Sequence, residues 1–439
     1  MTPLLRAALL GVALTFAPFV CVAAQDSLPP GVRLDLRYNP GTKPGVLVLR
    51  VAGTNGDSIR AILQRDFDNG DRINVVAAEE TGFPDTPTAG KNGNYPVYAK
   101  LGALALVQAT PTASGLHVAV HDVALQKVAG VRDFVLSGAP NSREWRMSVH
   151  MASDELESWI TGVRGIAATR VAYVQGVRGS KLFIIDSDGA FPTPVGDDAG
   201  VLSPAWHPKG THIAYSLVGA RGCCQIFVYD LASGSAQQIS AVGGGLNATP
   251  TFSPDGGVIV YTHGEESGTD LFATTVFDRG PARRITVGRG SDNTSPTFSP
   301  DGRRLAFTSG RLGHPEVYIS DADGTNVQWL TSYNTGDQNY RSNPDWSPDG
   351  RLIAYQAQQT DGRFQLSTIS LRDKSVKQLT NDGSNEDASW APDSRHLIFS
   401  STRTGTKQLF VIDSESGRWR QLTRNGGVRL PAWSPPLTR

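Results

Sequence analysis

The apolar positions of the chain fall into short runs separated by turn residues, and one aromatic-containing phrase recurs between the runs. Its aromatic residues stand 46, 46, 48, 44 and 43 positions apart: Trp206, Phe252, Phe298, Trp346, Trp390 and Trp433. In three copies Ser-Pro-Asp-Gly follows the aromatic residue, at 253–256, 299–302 and 347–350. This is a turn sequence, since Pro fixes φ, Asp bonds its own backbone and Gly accepts a positive φ. A period in the forties indicates a repeat architecture.

Each repeat contains four short apolar runs. The second ends in an aromatic residue, as in Ile213-Ala214-Tyr215 or Leu397-Ile398-Phe399. A third run such as 409–413 and a fourth such as 421–423 complete the unit. Four strand-type runs per repeat predict a β-propeller blade.

The two ends of the repeat array complement each other. The first unit has the strand at Val171 but no aromatic phrase before it, and the phrase at Trp433 has no strand after it. Joining them completes a sixth blade and removes the exposed sheet edges of an open array. We therefore predict a six-bladed β-propeller over residues 166–439, with a C-terminal strand closing the first blade.

Residues 25–165 lack the repeat and predict an N-terminal α/β domain. Strict alternation predicts a strand at Val32–Tyr38, and apolar runs predict others at 46–51, 103–108, 116–122 and 131–136. A helix is predicted over 57–68 with Asp57 as its cap, and a longer one over 142–159 with Asn141 as its cap. The segment 84–96 reads as a loop. Gly162 and Gly165 end the second helix.

The first 24 residues are typical of a cleaved export signal. Arg6 precedes an apolar stretch over 7–20, and small residues at 22–24 precede Gln25. The stretch is short for an uncleaved anchor, and Pro18-Phe19-Val20 is a poor lipoprotein signal before Cys21. We expect an exported, soluble, monomeric product that begins at Gln25 and has no membrane-spanning segment.

Charge and candidate chemistry narrow the function classes. The 41 basic and 41 acidic residues cancel, which argues against a nucleic-acid partner. Cys223 and Cys224 are adjacent, a spacing unsuited to a zinc site, and their redox state stays open. The turns at 186–189 and 321–324 begin like calcium loops but lack the further carboxylates. His117 and His121 share a strand face without a third ligand, and a Gly-x-Ser-x-Gly motif is absent from the sequence. We expect no catalytic, cofactor or metal site.

The residues that feed the first strand of each blade form a candidate partner surface, because six-fold repetition places them around one opening. Asn, Ser and Thr there can equally serve turn backbones, whereas Tyr and Arg are enriched at binding hot spots. The candidate residues are Asn247, Thr249, Asn293, Thr294, Tyr340, Arg341, Asn385, Asp387 and Arg429.

The junction and the C-terminal end carry a resemblance to a known family. Ala152-Ser153-Asp154-Glu155-Leu156, Thr169-Arg170-Val171-Ala172-Tyr173 and Leu430-Pro431-Ala432-Trp433-Ser434-Pro435 resemble the TolB family, the periplasmic components of the Tol–Pal system. The resemblance covers essentially the whole mature chain. It implies a non-enzymatic periplasmic scaffold that links the lipoprotein Pal to the inner-membrane protein TolA, and that supports outer-membrane integrity and constriction during division.

The resemblance also implies where partners bind. A Pal-like lipoprotein would sit at the mouth of the propeller channel, where Thr249 and Thr294 align with contact positions of the family. A TolA-like protein would meet the N-terminal segment through Val32, Leu34, Leu36 and Tyr38. Two other classes stay open: an exported propeller that binds something else, or a propeller-type enzyme or hydrolase accessory protein.

Overall fold

The chain folds into a small α/β domain followed by a six-bladed propeller. The computed structural model describes residues 42–77, 84–219, 224–240, 245–265, 268–278, 280–287, 291–331 and 340–437. The predicted export signal, the predicted strand Val32–Tyr38 and Cys223 lie outside the described residues. Cys224 is buried.

The N-terminal domain, as the name is used here, comprises the described elements from β1 to α3. Its sheet has the order β2-β1-β3-β4-β5, in which β1 pairs in parallel with β2 and β3 and the other pairs are antiparallel. The elements are β1 (Gly45–Val48), α1 (Gly56–Asn69), β2 (Asn74–Val75), α2 (Tyr95–Lys100), β3 (Ala105–Thr112), β4 (Gly115–Asp122), β5 (Lys127–Val135) and α3 (Arg143–Thr161).

Helices α1 and α3 cover one face of the sheet. Their apolar stripes, including Phe67, Trp145 and Leu156, pack with Val48 and Val118 of the strands into one core. On the other face, α2 covers part of the sheet through Tyr95 and Tyr98. The domain is therefore a sheet with two helices on one side and a single short helix on the other.

Both helix caps predicted from the sequence are wrong by one or two residues. The residue before α1 is Asn55, in the left-handed conformation and without a side-chain cap bond, so Asp57 lies inside the first turn. For α3 the cap is Ser142, whose hydroxyl accepts from the Trp145 amide at 3.2 Å. Asn141 precedes it with φ of 63°. Gly162 ends α3 in the left-handed conformation, as predicted.

Six four-stranded sheets follow in the described part of the chain, and they confirm the predicted propeller. Blades 2 to 6 each use four consecutive strands. Blade 2 comprises β9 (Val201–Trp206), β10 (His212–Val218), β11 (Cys224–Asp230) and β12 (Ser235–Gln238). Blade 3 comprises β13 (Leu246–Phe252), β14 (Val258–Glu265), β15 (Gly268–Thr275) and β16 (Arg283–Arg284). Blade 4 comprises β17 (Asn293–Phe298), β18 (Arg304–Ser309), β19 (Glu316–Asp321) and β20 (Gln328–Trp329).

The last two consecutive blades repeat this plan. Blade 5 comprises β21 (Arg341–Trp346), β22 (Leu352–Gln358), β23 (Phe364–Ser370) and β24 (Val376–Gln378). Blade 6 comprises β25 (Asn385–Trp390), β26 (His396–Ser401), β27 (Gln408–Asp413) and β28 (Trp419–Gln421). In every blade the first strand is innermost and the short fourth strand is outermost.

Blade 1 closes the ring with a strand from the C-terminal end. Its order is β29 (Val428–Trp433), β6 (Arg170–Gln175), β7 (Lys181–Asp186) and β8 (Thr193–Pro194). Val428 pairs with Gln175 and Trp433 with Val171, antiparallel. The Trp433 indole is buried and donates to the Thr169 hydroxyl at 2.8 Å. The closure predicted from the sequence is thus present.

The repeat phrase explains the packing between blades. Five aromatic side chains of the phrase are buried: Trp206, Phe252, Trp346, Trp390 and Trp433. The Trp390 indole donates to the Asp345 carbonyl of the previous blade at 3.1 Å, and that of Trp206 donates to Ala432 at 3.0 Å. These two indoles therefore fix their blades against the preceding ones. Within the described residues, no helix has the length and apolarity needed to cross a membrane.

Candidate functional site

The propeller has two rims of different character. We call the docked rim the one that carries the turns after the first strands and the hairpins between third and fourth strands. The open rim is the opposite one, where first strands begin and where second and third strands are joined. The strand pairing shows which connections share a rim. In blade 3 the start of β13 pairs with the end of β14, and the end of β14 pairs with the start of β15, so these three strand ends lie on the open rim.

The N-terminal domain contacts the docked rim through charged groups. Arg72 after α1 bonds Asp393 at 2.9 Å, and Arg418 bonds Asp71 at 2.9 Å. From α3, Arg143 bonds Asp186 at 3.1 Å, and Asp154 accepts from the Ala167 and Ala168 amides of the connection to the propeller. Among the described residues, these contacts lie on blades 1 and 6 of the docked rim.

The open rim presents large apolar side chains to solvent. Six of them lie on its hairpins and loops and are between 39% and 83% exposed: Val177, Val218, Leu246, Val287, Leu312 and Tyr340. They come from successive parts of blades 1 to 5. Exposed apolar side chains that share one face of a protein can form a binding surface.

The channel is lined by one residue of each blade at a β-bulge. These residues all adopt a left-handed backbone, with φ between 47° and 58°: Ser203, Thr249, Ser295, Asn343, Asp387 and Leu430. They bound a cavity of about 300 Å³. Ser295 donates to Asn343 at 2.9 Å, and Asn343 donates to Asp387 at 3.1 Å. The bulges therefore build a polar collar in which neighbouring blades are hydrogen-bonded.

Two carboxyl groups stand in the channel wall. Burial raises the pKa of Asp345 to about 7, although its carboxyl accepts from the Trp390 amide at 2.8 Å. Burial, together with the Glu386 charge, raises the pKa of Asp387 above its usual range. Both groups also hold neighbouring blades together, because Asp345 accepts from Trp390 and Asp387 accepts from Asn343.

Three predicted rim residues lie inside the blades instead, and the expectation that they contact a partner is wrong. Asn247, Asn293 and Asn385 have no exposed surface. Asn247 bonds the His263 ring at 2.9 Å, and Asn385 bonds Gln365 at 2.8 Å. Because each amide satisfies polar groups of its own and the preceding blade, none can serve as a surface contact.

The remaining predicted rim residues lie at the open rim or in the channel. They differ in how much of each side chain is exposed and in whether it is bonded to a neighbouring group. Tyr340 is 40% exposed and meets Phe364 edge-on. Arg341 is mostly buried and donates to the buried Glu316 carboxylate at 2.7 Å. Thr294 and Arg429 are half-buried on inner strands, as are Thr249 and Asp387 of the collar. Arg341 therefore has a structural task that the sequence did not indicate.

The predicted partner segment at the N-terminus cannot be placed. Val32, Leu34, Leu36 and Tyr38 lie outside the described residues, so their proposed contact with a TolA-like protein stays a prediction.

One group of side chains in the described residues has the spacing of metal ligands, but it is already bonded to other side chains. Asp71, His396 and Asp413 bring three potential ligand atoms within 4.8 Å of one another. Arg395, however, donates to both Asp413 oxygens, at 2.9 and 2.5 Å. A metal ion would have to displace this guanidinium, so the group is better described as an ion-pair cluster.

The two histidines that share a strand face also have separate roles. His117 bonds Asp133 at 2.7 Å on the exposed side of the sheet. His121 bonds the Tyr95 hydroxyl at 2.7 Å and Gln108 at 3.1 Å, and burial lowers its pKa. They do not converge on a common ligand.

Two features of the site were missed by sequence reasoning. The collar includes Ser203, Ser295, Asn343 and Leu430, which were not selected. The signal that could have found them is their position directly before the Pro of the repeat phrase. The second is the docking role of Asp186 and Asp188, which look like ordinary turn residues in the sequence.

Comparisons with known proteins agree with this architecture. A sequence profile described as the TolB beta propeller domain matches residues 158–437, more than half of the chain. The Tol-Pal system protein TolB of Gluconobacter oxydans (strain 621H) is 32% identical over 310 residues, covering 68% of this chain and 66% of its own length. That of Sodalis glossinidius (strain morsitans) is 31% identical over 226 residues, covering 48% of this chain and 51% of its own. The chain thus matches between about half and two thirds of the length of these relatives.

A solved structure extends the likeness to both parts of the molecule. The crystal structure of TolB from Acinetobacter baumannii superposes with a TM-score of 0.76 at 25% identity, covering 90% of this chain and 97% of that one. The propeller profile, the curated relatives and this structure all point to one assignment. The chain belongs to the TolB family.

Proposed function

We propose that this protein is a periplasmic scaffold of the Tol–Pal system that binds a Pal-like lipoprotein on its open rim. The observation that carries the proposal is the difference between the rims: the N-terminal domain contacts blades 1 and 6 on the docked rim, and the open rim exposes apolar side chains from blades 1 to 5. The names of the relatives supply the system in which to look for the partner.

The second half of the proposal concerns the inner membrane. A TolA-like protein would bind the N-terminal segment through Val32, Leu34, Leu36 and Tyr38, whose alternation suits strand addition to another sheet. Joining the two partners would connect the outer and inner membranes and support outer-membrane integrity and constriction during division. Export with cleavage before Gln25 would deliver the chain to that compartment.

Calorimetry with the soluble domain of the Pal-like lipoprotein tests the rim. We expect Thr294→Arg and Tyr340→Ala each to weaken binding at least tenfold, about 1.4 kcal/mol, with the melting temperature unchanged. The matched control is Phe277→Ala, which removes a 62% exposed aromatic ring on the docked rim and should leave affinity unchanged. Intact binding in both rim variants would move the site to the N-terminal domain.

Arg341→Glu is unsuitable as a variant for testing the rim, although Arg341 is one of the candidate partner residues selected from the sequence. The substitution would place a second carboxylate beside the buried Glu316, so it would destabilise the blade whether or not a partner binds.

Deleting residues 25–38 tests the TolA half in the same assay. We expect binding of the TolA-like C-terminal domain to be lost and binding of the Pal-like domain to be kept. Unchanged TolA-like binding would refute the role of the segment without touching the rim assignment.

A further inference from the structure

Two buried histidines lie at the contact between the N-terminal domain and the docked rim, and each is directed at the other domain. His150 of α3 has no exposed surface, and its Nδ1 lies 2.8 Å from Asp66 of α1. Its Nε2 lies 3.9 Å from Asp188 of blade 1, which is too long for a direct hydrogen bond. This ring therefore belongs to the N-terminal domain and is directed at a carboxylate of the propeller.

His396 of β26 repeats the arrangement in the opposite sense. Its Nδ1 lies 2.7 Å from Asp393 in the same blade. Its Nε2 lies 3.5 Å from Asp71, which follows α1 in the N-terminal domain. Each domain thus contributes one histidine that is held by its own aspartate and directed at an aspartate of the other domain.

Polar atoms without a direct partner concentrate between the same elements. Seven buried atoms there have none in the described residues: Asp66 Oδ1, Arg146 Nε, His150 Nε2, Ser153 Oγ, Glu157 Oε1, Asp186 Oδ2 and Arg420 Nε. A cavity of about 10 Å³ bounded by Asp71, His396 and Arg420 is close to the size that holds one water. An interface with unmet polar atoms is easier to part than a close-packed apolar one.

We propose that the contact between the N-terminal domain and the propeller is a proton-dependent latch, in which His150 and His396 are protonated while the domains are docked and lose their protons when the domains part.

The charges around each ring set the direction of the effect. Burial by itself disfavours the charge on His396, but the carboxylates of Asp393, Asp71 and Asp413 outweigh it and raise its pKa to about 9. Burial likewise opposes the charge on His150, and the Asp66 and Asp188 carboxylates raise its pKa despite Arg146. Other charged groups lie beside the carboxylates that surround the two rings: Lys43, Arg65, Arg72, Asp154, Glu157, Arg395, Arg418 and Arg420.

The raised pKa values determine how docking depends on pH. In water each histidine returns toward its ordinary pKa of about 6.5, so its contribution to docking is complete below that pH and is lost as pH rises through its raised pKa, which for His396 is about 9. Across this window the opening constant rises up to tenfold per pH unit for each proton released. Burial also raises the pKa of Glu157, to about 8, so this carboxyl acts in the same direction. The aspartates with lowered pKa values titrate in acid, outside the window.

Ring titration in the unmodified protein tests the latch directly. With the histidines labelled at Cε1 with carbon-13, we expect two of the resonances to remain in the protonated position at pH 7.5. Assignment by His150→Gln and His396→Gln should identify them. If no histidine resonance of the wild-type protein stays protonated at pH 7.5, the proposal is wrong, and that result needs no variant.

Amide exchange across the interface provides the functional readout. Protection factors of residues 66–72, corrected for intrinsic rates, should fall steeply between pH 6.5 and 9 in the wild-type protein. The His150→Gln/His396→Gln variant should show a shallower slope, with the part due to Glu157 remaining. The matched control is His117→Gln, which removes a histidine bonded to an aspartate on the exposed sheet face and should keep the wild-type slope. Equal slopes in all three proteins would overturn the latch.

Discussion

The two rims of the propeller are built from the same repeat, but the N-terminal domain adds buried charge pairs to one of them. The docked rim concentrates buried carboxylates and guanidiniums on blades 1 and 6, where Asp393 and Asp186 meet Arg72 and Arg143. The open rim carries exposed valines, leucines and a tyrosine in its loops and hairpins. Buried charge pairs bind only the matching surface, because an unmatched partner leaves a charge without compensation. Exposed apolar side chains allow reversible binding, because no buried charge is left without compensation when the partner dissociates.

The difference shows how a repeat protein assigns tasks without changing its scaffold. The turn at Asp321 uses its carboxylate for its own hairpin, where Asn326 donates to it at 2.5 Å. The corresponding Asp186 of blade 1 receives Arg143 and Arg170 instead, both at 3.1 Å. One turn sequence therefore serves local structure in blade 4 and domain docking in blade 1, according to the neighbour it meets.

The largest expected effect comes from breaking the ring that supports both rims. Trp433→Ala should cost about 3–5 kcal/mol of unfolding free energy, because it empties a buried aromatic site and leaves the Thr169 hydroxyl without its donor. Denaturant unfolding measures this cost. Trp419→Ala is the matched control, since that indole lies on an outer strand and is 52% exposed.

Deleting residues 429–439 extends the same test. It removes most of β29 with its ladder bonds, so we expect an aggregating or protease-sensitive product. A truncated protein that melts within a few degrees of the full-length one would contradict ring closure.

The next effect distinguishes docking from turn chemistry at one repeat position. Asp393→Asn should cost about 3–5 kcal/mol, because it leaves the buried Arg72 and His396 without their counter-charge. Asp349→Asn alters the corresponding position of blade 5, where Arg351 is 84% exposed, and should cost less than about 1 kcal/mol. Unfolding in urea compares the two. Equal costs would mean that the turn, and not the domain contact, accounts for the stability.

The fold could be predicted from the sequence because its signals are local and repeated. The phrase around Trp346, copied with small changes, determines a strand, a turn and a position between blades, and the unpaired phrase at Trp433 reveals the closure. The helix α2 was missed because Tyr95–Lys100 has fewer than two turns and too few residues to show a helical period. The division of the chain near residue 165 stays a prediction.

The site was less predictable because it depends on contacts between distant residues. Asn247, Asn293 and Asn385 look like loop residues, and only the three-dimensional packing places them at zero exposure. The pairing of Arg341 with Glu316 joins residues 25 positions apart on neighbouring blades. Nothing in either local sequence distinguishes that pair from free surface charges.

The most direct measurement is a hydrogen–deuterium exchange footprint of the full mature protein with and without saturating Pal-like domain. The proposal predicts slower exchange on the open rim, in hairpins such as 175–181, 309–316 and 401–407. It predicts no change in the docked-rim turns at 253–258, 299–304 and 347–352. Protection confined to those turns or to the N-terminal domain, with the open rim unchanged, would contradict the assignment of the open rim as the partner-binding surface.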